Sequence, residues 1–366
     1  MDRNLNIAFF GSSLVSAYWN GAATYYRGLI RALHARGHRV TFYEPDAFER
    51  QAHRDMEDPS WAQVVVYQPD VLSIEAALES ARTADVIVKA SGVGVHDELL
   101  ERAVLTLRRP QNLVVFWDVD APATLERIRN DPNDPFLSLI PGYDLVFTYG
   151  GGQSVVDEYR MRGARDCVPV YNALDPTTHH PVRPERRFAG LLGFLGNRLP
   201  DREQRVREFF LKPATAFPDD VFLLGGNGWE SATDIPANVH RLGHVYSKNH
   251  NAFNCSPRAV ININRDSMAR VGFSPPTRVF EAAGAAACLI MDAWEGIEAF
   301  LDPGTEVLVA QHGPQVSEHL ARLTPAQAAQ IGKAAMKRVL EHHTYEQRAR
   351  QVEAQLEGRT RAGVAA

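Results

Sequence analysis

Short runs of β-branched and aromatic residues alternate along the chain with longer stretches whose apolar positions recur every three or four residues. The runs at 5–10, 39–43, 63–67, 85–90, 112–117, 144–148 and 167–171 predict strands, because brief apolar runs bounded by turn signals fit a sheet covered on both faces. Between the first two, Tyr25, Leu29, Ile30 and Leu33 share one helical face, and Gly37 follows as a C-terminal cap. A second series of strands is predicted at 191–196, 220–224, 258–263, 287–291 and 306–309. Residues 175–187 are polar, rich in proline and without periodicity, which predicts a linker. Beyond Pro314 the pattern is helical, with a break at Leu323-Thr324-Pro325, a last helix from about Tyr345 to Leu356, and a tail at 358–366 with little to bury.

This alternation predicts an α/β protein with two Rossmann-like parallel-sheet domains, at 1–175 and 189–344, joined by a linker at 176–188 and followed by a helix at 345–357. The 366 residues suit two such domains. A hinge between them implies a cleft, and open parallel sheets bind ligands beyond the carboxyl ends of their strands.

Composition narrows the possibilities. A formal net charge of -5 offers no basic stripe for a nucleic acid backbone. Cys167, Cys255 and Cys288 are odd in number and widely spaced, which argues against a disulfide framework or a structural zinc site and for a reducing, cytoplasmic setting. The first residues lead straight into an apolar strand, so no leader is expected, and no apolar run approaches the ~20 residues that span a bilayer. Walker, HExxH and GxSxG motifs are absent, which removes common nucleotidase, metalloprotease and hydrolase readings.

Four stretches carry candidate chemistry. The most informative runs from 272 to 306, opening with Gly272-Phe273-Ser274-Pro275-Pro276-Thr277-Arg278 and continuing to Glu281. Ser274 suits an N-cap and Pro275 a first helical position, which predicts a helix entry where phosphate docks and places Glu281 two turns in. The two prolines lack N–H groups, so phosphate binding leans on Thr277, Arg278 and the backbone of Gly272 and Phe273. Glu281 is suited to accepting hydrogen bonds from both hydroxyls of a ribose. After the strand at 191–196, Gly196, Asn197, Arg198 and Arg202 form either a diphosphate clamp or a solvated turn. Asp118 and Asp120 end a strand on one face, as a general base pair or as a turn that caps the next helix. Gly11, Ser12, Tyr18 and Asn20 follow the first strand, as a cleft floor with stacking aromatics or as a packed loop. His240 with His244, His179-His180 and His342-His343 have spacings unsuited to a metal, and no metal ligand is assigned.

These residues carry a family resemblance. Asn172-Ala173-Leu174-Asp175 with Pro181 resembles the interdomain junction of GT-B glycosyltransferases, and Phe280-Glu281-Ala282-Ala283-Gly284 resembles a helix of their retaining, family-4-like branch. The segments Gly196 to Arg202, Asn264-Arg265, Gly272 to Glu281, and His343-Thr344-Tyr345 are similar to CgeB-type (spore-maturation protein-like) glycosyltransferases. The resemblance implies a GT-B fold and transfer of a hexose-type sugar from a nucleoside diphosphate to an unidentified acceptor, with no metal or other cofactor. It implies that Glu281 binds the ribose, that Arg198, Arg202 and the 272–278 loop (Gly272, Phe273, Ser274, Thr277, Arg278) hold the diphosphate, that Arg265 belongs to the nucleotide-sugar site, and that Gly243 and His244 hold the base. Asp118 or Asp120 lies on the acceptor side, and the last helix crosses back to the first domain. Retaining members often carry a glutamate eight positions before the ribose glutamate. Here that position is Phe273, which leaves the stereochemical outcome open and raises a second reading, a non-catalytic nucleotide-sugar or glycan-binding protein.

Overall fold

A computed structural model describes residues 4–364. Among the described residues, two all-parallel sheets account for the strands. The first holds β1 (Asn6–Phe10), β2 (Arg39–Pro45), β3 (Gln63–Tyr67), β4 (Val86–Ala90), β5 (Leu113–Asp118), β6 (Leu145–Thr148) and β7 (Cys167–Pro169), in the order β3-β2-β1-β4-β5-β6-β7. The second holds β8 (Leu192–Leu195), β9 (Phe222–Gly225), β10 (Val239–Gly243), β11 (Ala259–Asn262), β12 (Leu289–Asp292) and β13 (Leu308–Ala310), in the order β10-β9-β8-β11-β12-β13. In each sheet the strand order reverses beside the first strand, so a switch point opens between β1 and β4 and another between β8 and β11.

The helices follow in chain order. With the first sheet come α1 (Ala23–Ala35), α2 (Val71–Ala81), α3 (Asp97–Ala103), α4 (Ala121–Asn130), α5 (Pro135–Leu139) and α6 (Gly152–Met161). With the second come α7 (Pro200–Val206), continued by a π turn at Arg207–Leu211 into α8 (Lys212–Thr215), then α9 (His250–Cys255), α10 (Asp266–Val271), α11 (Thr277–Gly284), α12 (Gly313–Arg322) and α13 (Pro325–His342). The last is α14 (Tyr345–Val364).

Two compact units result. One takes the chain to Tyr171 together with the segment from Tyr345 onward, and the other is Asn172–Thr344. In the first, α14 packs on α1: a Cβ added at Gly28 would lie 2.1 Å from Tyr345 Cδ2. Beside that contact, Glu353 accepts from Arg36 Nε at 2.7 Å and meets His38 Nε2 at 2.9 Å. Gly28→Ala is expected to cost about 1–3 kcal/mol by overpacking, read as a lower urea midpoint with an unchanged slope. In the second unit β8, β9, β11 and β12 are buried along their whole length, and their apolar faces join Phe209, Phe210, Val316 and Leu320 in one core.

Several boundaries differ from expectation. The stretch read as a linker is packed on the second unit, which begins at Asn172: Leu174 N–H donates to His343 O at 2.7 Å, and Glu185 N–H to Ser256 Oγ at 2.9 Å. Polar, aperiodic chain thus satisfies its backbone largely on neighbouring groups, with a 3-10 turn at Arg186–Phe188 as its one regular piece among the described residues. The last helix continues to Val364 rather than ending near Leu356, and of the expected tail, residues 365 and 366 lie outside the described residues. β10 was not predicted, because Val239-His240-Arg241-Leu242-Gly243 is an edge strand with exposed polar positions. Among the described residues, no helix is long and apolar enough to cross a membrane.

Candidate functional site

The carboxyl ends of β8, β9 and β10 are stitched together through glycines. Gly196 N–H donates to Gly225 O at 2.9 Å, Gly226 N–H to Gly243 O at 2.7 Å, and Arg198 N–H to Asn227 O at 2.9 Å. A Cβ at Gly226, whose φ is +123°, would meet Gly196 O at 2.2 Å, so only glycine permits this approach. Asn197 Oδ1 accepts from Asn227 N–H at 3.0 Å, and Trp229 Nε1–H donates to Gly196 O at 2.8 Å. The Gly225-Gly226-Asn227-Gly228 turn was missed from the sequence, although three glycines at a strand end are the signal that marks it.

Arg202 lies against this floor. Its guanidinium stacks over Phe194, with 5.7 Å to the ring centroid, and donates to Asn197 O, while its buried Nε has no hydrogen-bond partner among the described residues. Burial, with Arg278 and Arg265 nearby, lowers its pKa from 12.5 to about 10. Arg265 is held by Asp201 at 3.0 Å, which also accepts from Ser267 Oγ at 2.6 Å. Arg278 faces Glu281 at 3.5 Å. Arg198, the fourth predicted arginine, instead makes a two-pronged contact with Glu203 at 2.9 and 2.8 Å and reaches Ser231 at 3.1 Å. Below them, buried Asp292 accepts from Arg205 Nη2 at 2.6 Å and from Asn264 N–H, tying β12 to α7 and β11.

The 272–278 loop differs from the expected helix entry. α11 starts at Thr277, its N-cap is Pro276, and no side chain caps it. Ser274 is buried and donates to Gly272 O at 2.8 Å instead. Two prolines in sequence favour extended chain before the helix, which moves its start and leaves Glu281 little more than one turn in. Asn172 Nδ2 donates to Pro275 O at 2.9 Å and pins the loop. Phe273 adopts φ +43° and lies against Gly296, where a Cβ would meet its ring at 2.3 Å. Such a left-handed non-glycine residue is strained, and strain gathers at functional loops.

Glu281 is buried and faces three basic groups: Arg278, His250 Nδ1 at 3.6 Å and His179 Nε2 at 4.0 Å. Burial alone would raise its pKa, but the two histidines and Arg278 outweigh burial and hold it well below the usual carboxylate range. His179, Glu281 and His250 offer ligand atoms within 4.8 Å of one another. Positions 179, 250 and 281 are brought together by the fold alone, and their sequence spacing carries no ligand signal. At the end of β10, Gly243 has φ +65° with open space beside it, and exposed His244 meets exposed Tyr246 edge-on at 4.5 Å.

In the first unit the predicted residues separate. Asp118 is fully buried, accepting from Ser91 Oγ at 2.7 Å, Thr124 Oγ1 at 3.0 Å, Asp120 N–H at 3.0 Å and Tyr159 Oη–H. Burial raises its pKa, and the hydrogen bonds from Tyr159, Ser91 and Asp120 N–H offset only part of that rise. With four donors enclosing it, Asp118 holds the turn rather than presenting a base. Asp120 stands at the N-cap of α4, without the side-chain cap that the alternative reading required, and is partly exposed. Gly11 is packed on Phe42, and buried Asn20 bonds Ser12 Oγ, Ser13 O and Ser16 O, so these residues shape the loop from within. Tyr18 stacks on His53 at 4.0 Å.

Residues 202–354 match the protein family described as Glycosyl transferase-like. No curated protein sequence matches the chain. Among solved structures, Alr3699/HepE from Anabaena in complex with UDP and glucose is 13% identical, covering 97% of this chain and 100% of its own, with a TM-score of 0.67. Sucrose-phosphate synthase from Thermosynechococcus elongatus is 14% identical over 98% of this chain and 100% of its own, with a TM-score of 0.69. An alpha-glucosyltransferase in complex with UDP-glucose and DNA containing an abasic site is 11% identical over 97% and 100%, with a TM-score of 0.71. The chain therefore has the GT-B fold, with a Rossmann-like parallel sheet in each of its two units.

Proposed function

We propose that the protein is a glycosyltransferase of the CgeB-like group that moves a sugar from a nucleoside diphosphate, uridine diphosphate foremost, to a hydroxyl acceptor. The observation that carries this reading is Arg202, a guanidinium without a carboxylate partner, gathered with Arg265 and Arg278 at the switch point of the second sheet. Asp201 and Glu281 offset two of the three charges, and a diphosphate supplies the rest. The UDP and UDP-glucose complexes of the solved GT-B structures support uridine diphosphate as the donor moiety.

In this mechanism Glu281 accepts from the ribose hydroxyls, and the base lies by Gly243, His244 and Tyr246. The bond between the anomeric carbon and the diphosphate oxygen breaks as the acceptor oxygen bonds to that carbon, and the acceptor's proton passes to a carboxylate, a role we assign to Asp120. Negative charge collects on the leaving diphosphate, where Arg202, Arg265 and Arg278 offset it. Three free cysteines support a reducing compartment as its place of work.

UDP is expected to raise the thermal midpoint where an equal concentration of uridine does so less, because binding to the native state stabilises by mass action. Glu281→Gln should weaken UDP binding by about 10–100-fold, the worth of hydrogen bonds to a charged group. No shift with UDP, dTDP or GDP would remove the nucleotide assignment. Phe273 at the position of the common second acid favours the non-catalytic alternative. Release of UDP from UDP-sugars in the presence of acceptors separates the two.

A further inference from the structure

Many surface arginines of this protein are paired: Arg54 with Asp58, Arg82 with Glu79, Arg108 with Asp144, Arg160 with Asp166 and Arg350 with Glu346. One face of the second unit departs from that habit. The segment from Val182 to Phe188 is fastened alongside α9, where Val182 N–H donates to Cys255 Sγ at 3.4 Å, Glu185 N–H to Ser256 Oγ at 2.9 Å and Arg187 Nη2 to Asn249 Oδ1 at 3.1 Å. Phe188 and Phe253 are buried against each other beneath it. Arg183, Arg186 and Arg187 are left exposed, as are Lys248 in the turn before α9 and Arg258 just past it. The carboxylates that would balance them are missing. Residues 235–265 contain no Asp or Glu, in a chain that has 44, and Glu185 stands alone between 176 and 192. Arg187 takes Glu185 at 2.6 Å, and among the described residues Arg183, Arg186, Lys248 and Arg258 have no carboxylate within ion-pair distance. Five cations thus stand against one carboxylate, in a chain whose formal net charge is -5. Like charges held together without partners repel, so the arrangement calls for negative charge from outside.

We infer that this face of the second unit docks on an anionic phospholipid surface. Its cations come from loops and 3-10 turns, which offer no helix or ribbon to enter the groove of a duplex. With Phe188 and Phe253 buried and Tyr246 met edge-on by His244, they have no free ring on which unpaired bases could stack. What remains is a set of exposed point charges, most of them guanidiniums, which take phosphates in paired hydrogen bonds and read neither sequence nor shape. Among the described residues no helix is long and apolar enough to cross a membrane, so the contact is peripheral and governed by salt.

The test sediments the full-length protein with vesicles of phosphatidylcholine alone, and with vesicles holding phosphatidylglycerol at about one part in three. Only the mixed vesicles should carry the protein down, and about 0.5 M NaCl should release it. A cation at such a surface is worth about a fivefold change in partitioning, so Arg183→Gln with Arg186→Gln should lower it about 25-fold and Lys248→Gln about fivefold. Arg82→Gln, in the first unit and paired with Glu79, should leave it unchanged. The side chains of Arg183, Arg186 and Lys248 make no hydrogen bond among the described residues, so thermal midpoints should stay at the wild-type value. Equal sedimentation with both vesicles, sedimentation with neither, or full binding by the Arg183/Arg186 double variant overturns the membrane contact. A mixed-sequence DNA duplex is run beside the vesicles, and binding to it alone would assign the face to nucleic acid and overturn the contact too. No nucleotide or sugar enters the assay, so its failure leaves UDP binding untouched.

Discussion

Replacing Arg202 by methionine should lower kcat for sugar transfer by about 10²–10³-fold, the loss seen when one fixed donor to developing negative charge is removed. The methionine puts an apolar side chain beside Phe194, whose ring the guanidinium covers in the native protein, so the space stays largely filled. It also relieves repulsion from Arg265 and Arg278, so the thermal midpoint should hold or rise slightly. Charge on the diphosphate grows as the sugar leaves, so kcat should fall more than UDP affinity. Arg202→Lys should recover little, because an ammonium cannot reproduce the guanidinium's contact with Asn197 O and its stacking together. Wild-type kcat in the methionine variant would sink the assignment, and a loss confined to KM would make Arg202 a binding group only.

The second large effect is on stability. Asp118→Ala should cost about 3–5 kcal/mol, since it strands the buried donors of Ser91, Thr124, Tyr159 and Asp120 around an empty space. Against a total of about 5–15 kcal/mol for a typical domain, much of the protein would be unfolded at moderate urea. Asp118→Asn keeps the Oδ1 acceptor used by three of the four donors, and the Tyr159 hydroxyl can turn to accept from the new amide. It should cost less than half as much and leave transfer nearly unchanged. Asp120→Asn should do the reverse, folding normally and losing transfer. Denaturant midpoints beside initial rates separate the two, and a fully active Asp120→Asn would remove the base.

Most strands were legible because they are covered on both faces and read as unbroken apolar runs, and edge strand β3 was legible because Val64-Val65-Val66 is apolar although partly exposed. Leu192–Leu195 and Leu289–Asp292 lie inside the expected segments to within a residue or two. β10 was illegible for the opposite reason, since an edge strand needs no apolar run. At the site, glycines and arginines beside strand ends were visible as types, but their partners were not. Nothing in the spacing of Arg198 and Arg202 tells that Glu203 takes the first while the second turns under Gly196. Likewise Asp118 and Asp120 share a strand phase, yet the turn that follows buries one and leaves the other accessible. Contacts across long sequence separations, as between His179, His250 and Glu281, arise only from the folded topology.

The chain leaves its first unit at Tyr171 and returns at Tyr345. That order sets a timetable for synthesis. When residue 171 leaves the ribosome, the groove on α1 around Gly28 has no occupant, and the whole of Asn172–Thr344 must be translated before Tyr345 arrives to fill it. The later unit is therefore complete first, and the earlier one waits for the last helix, holding an open apolar seam through roughly half of translation.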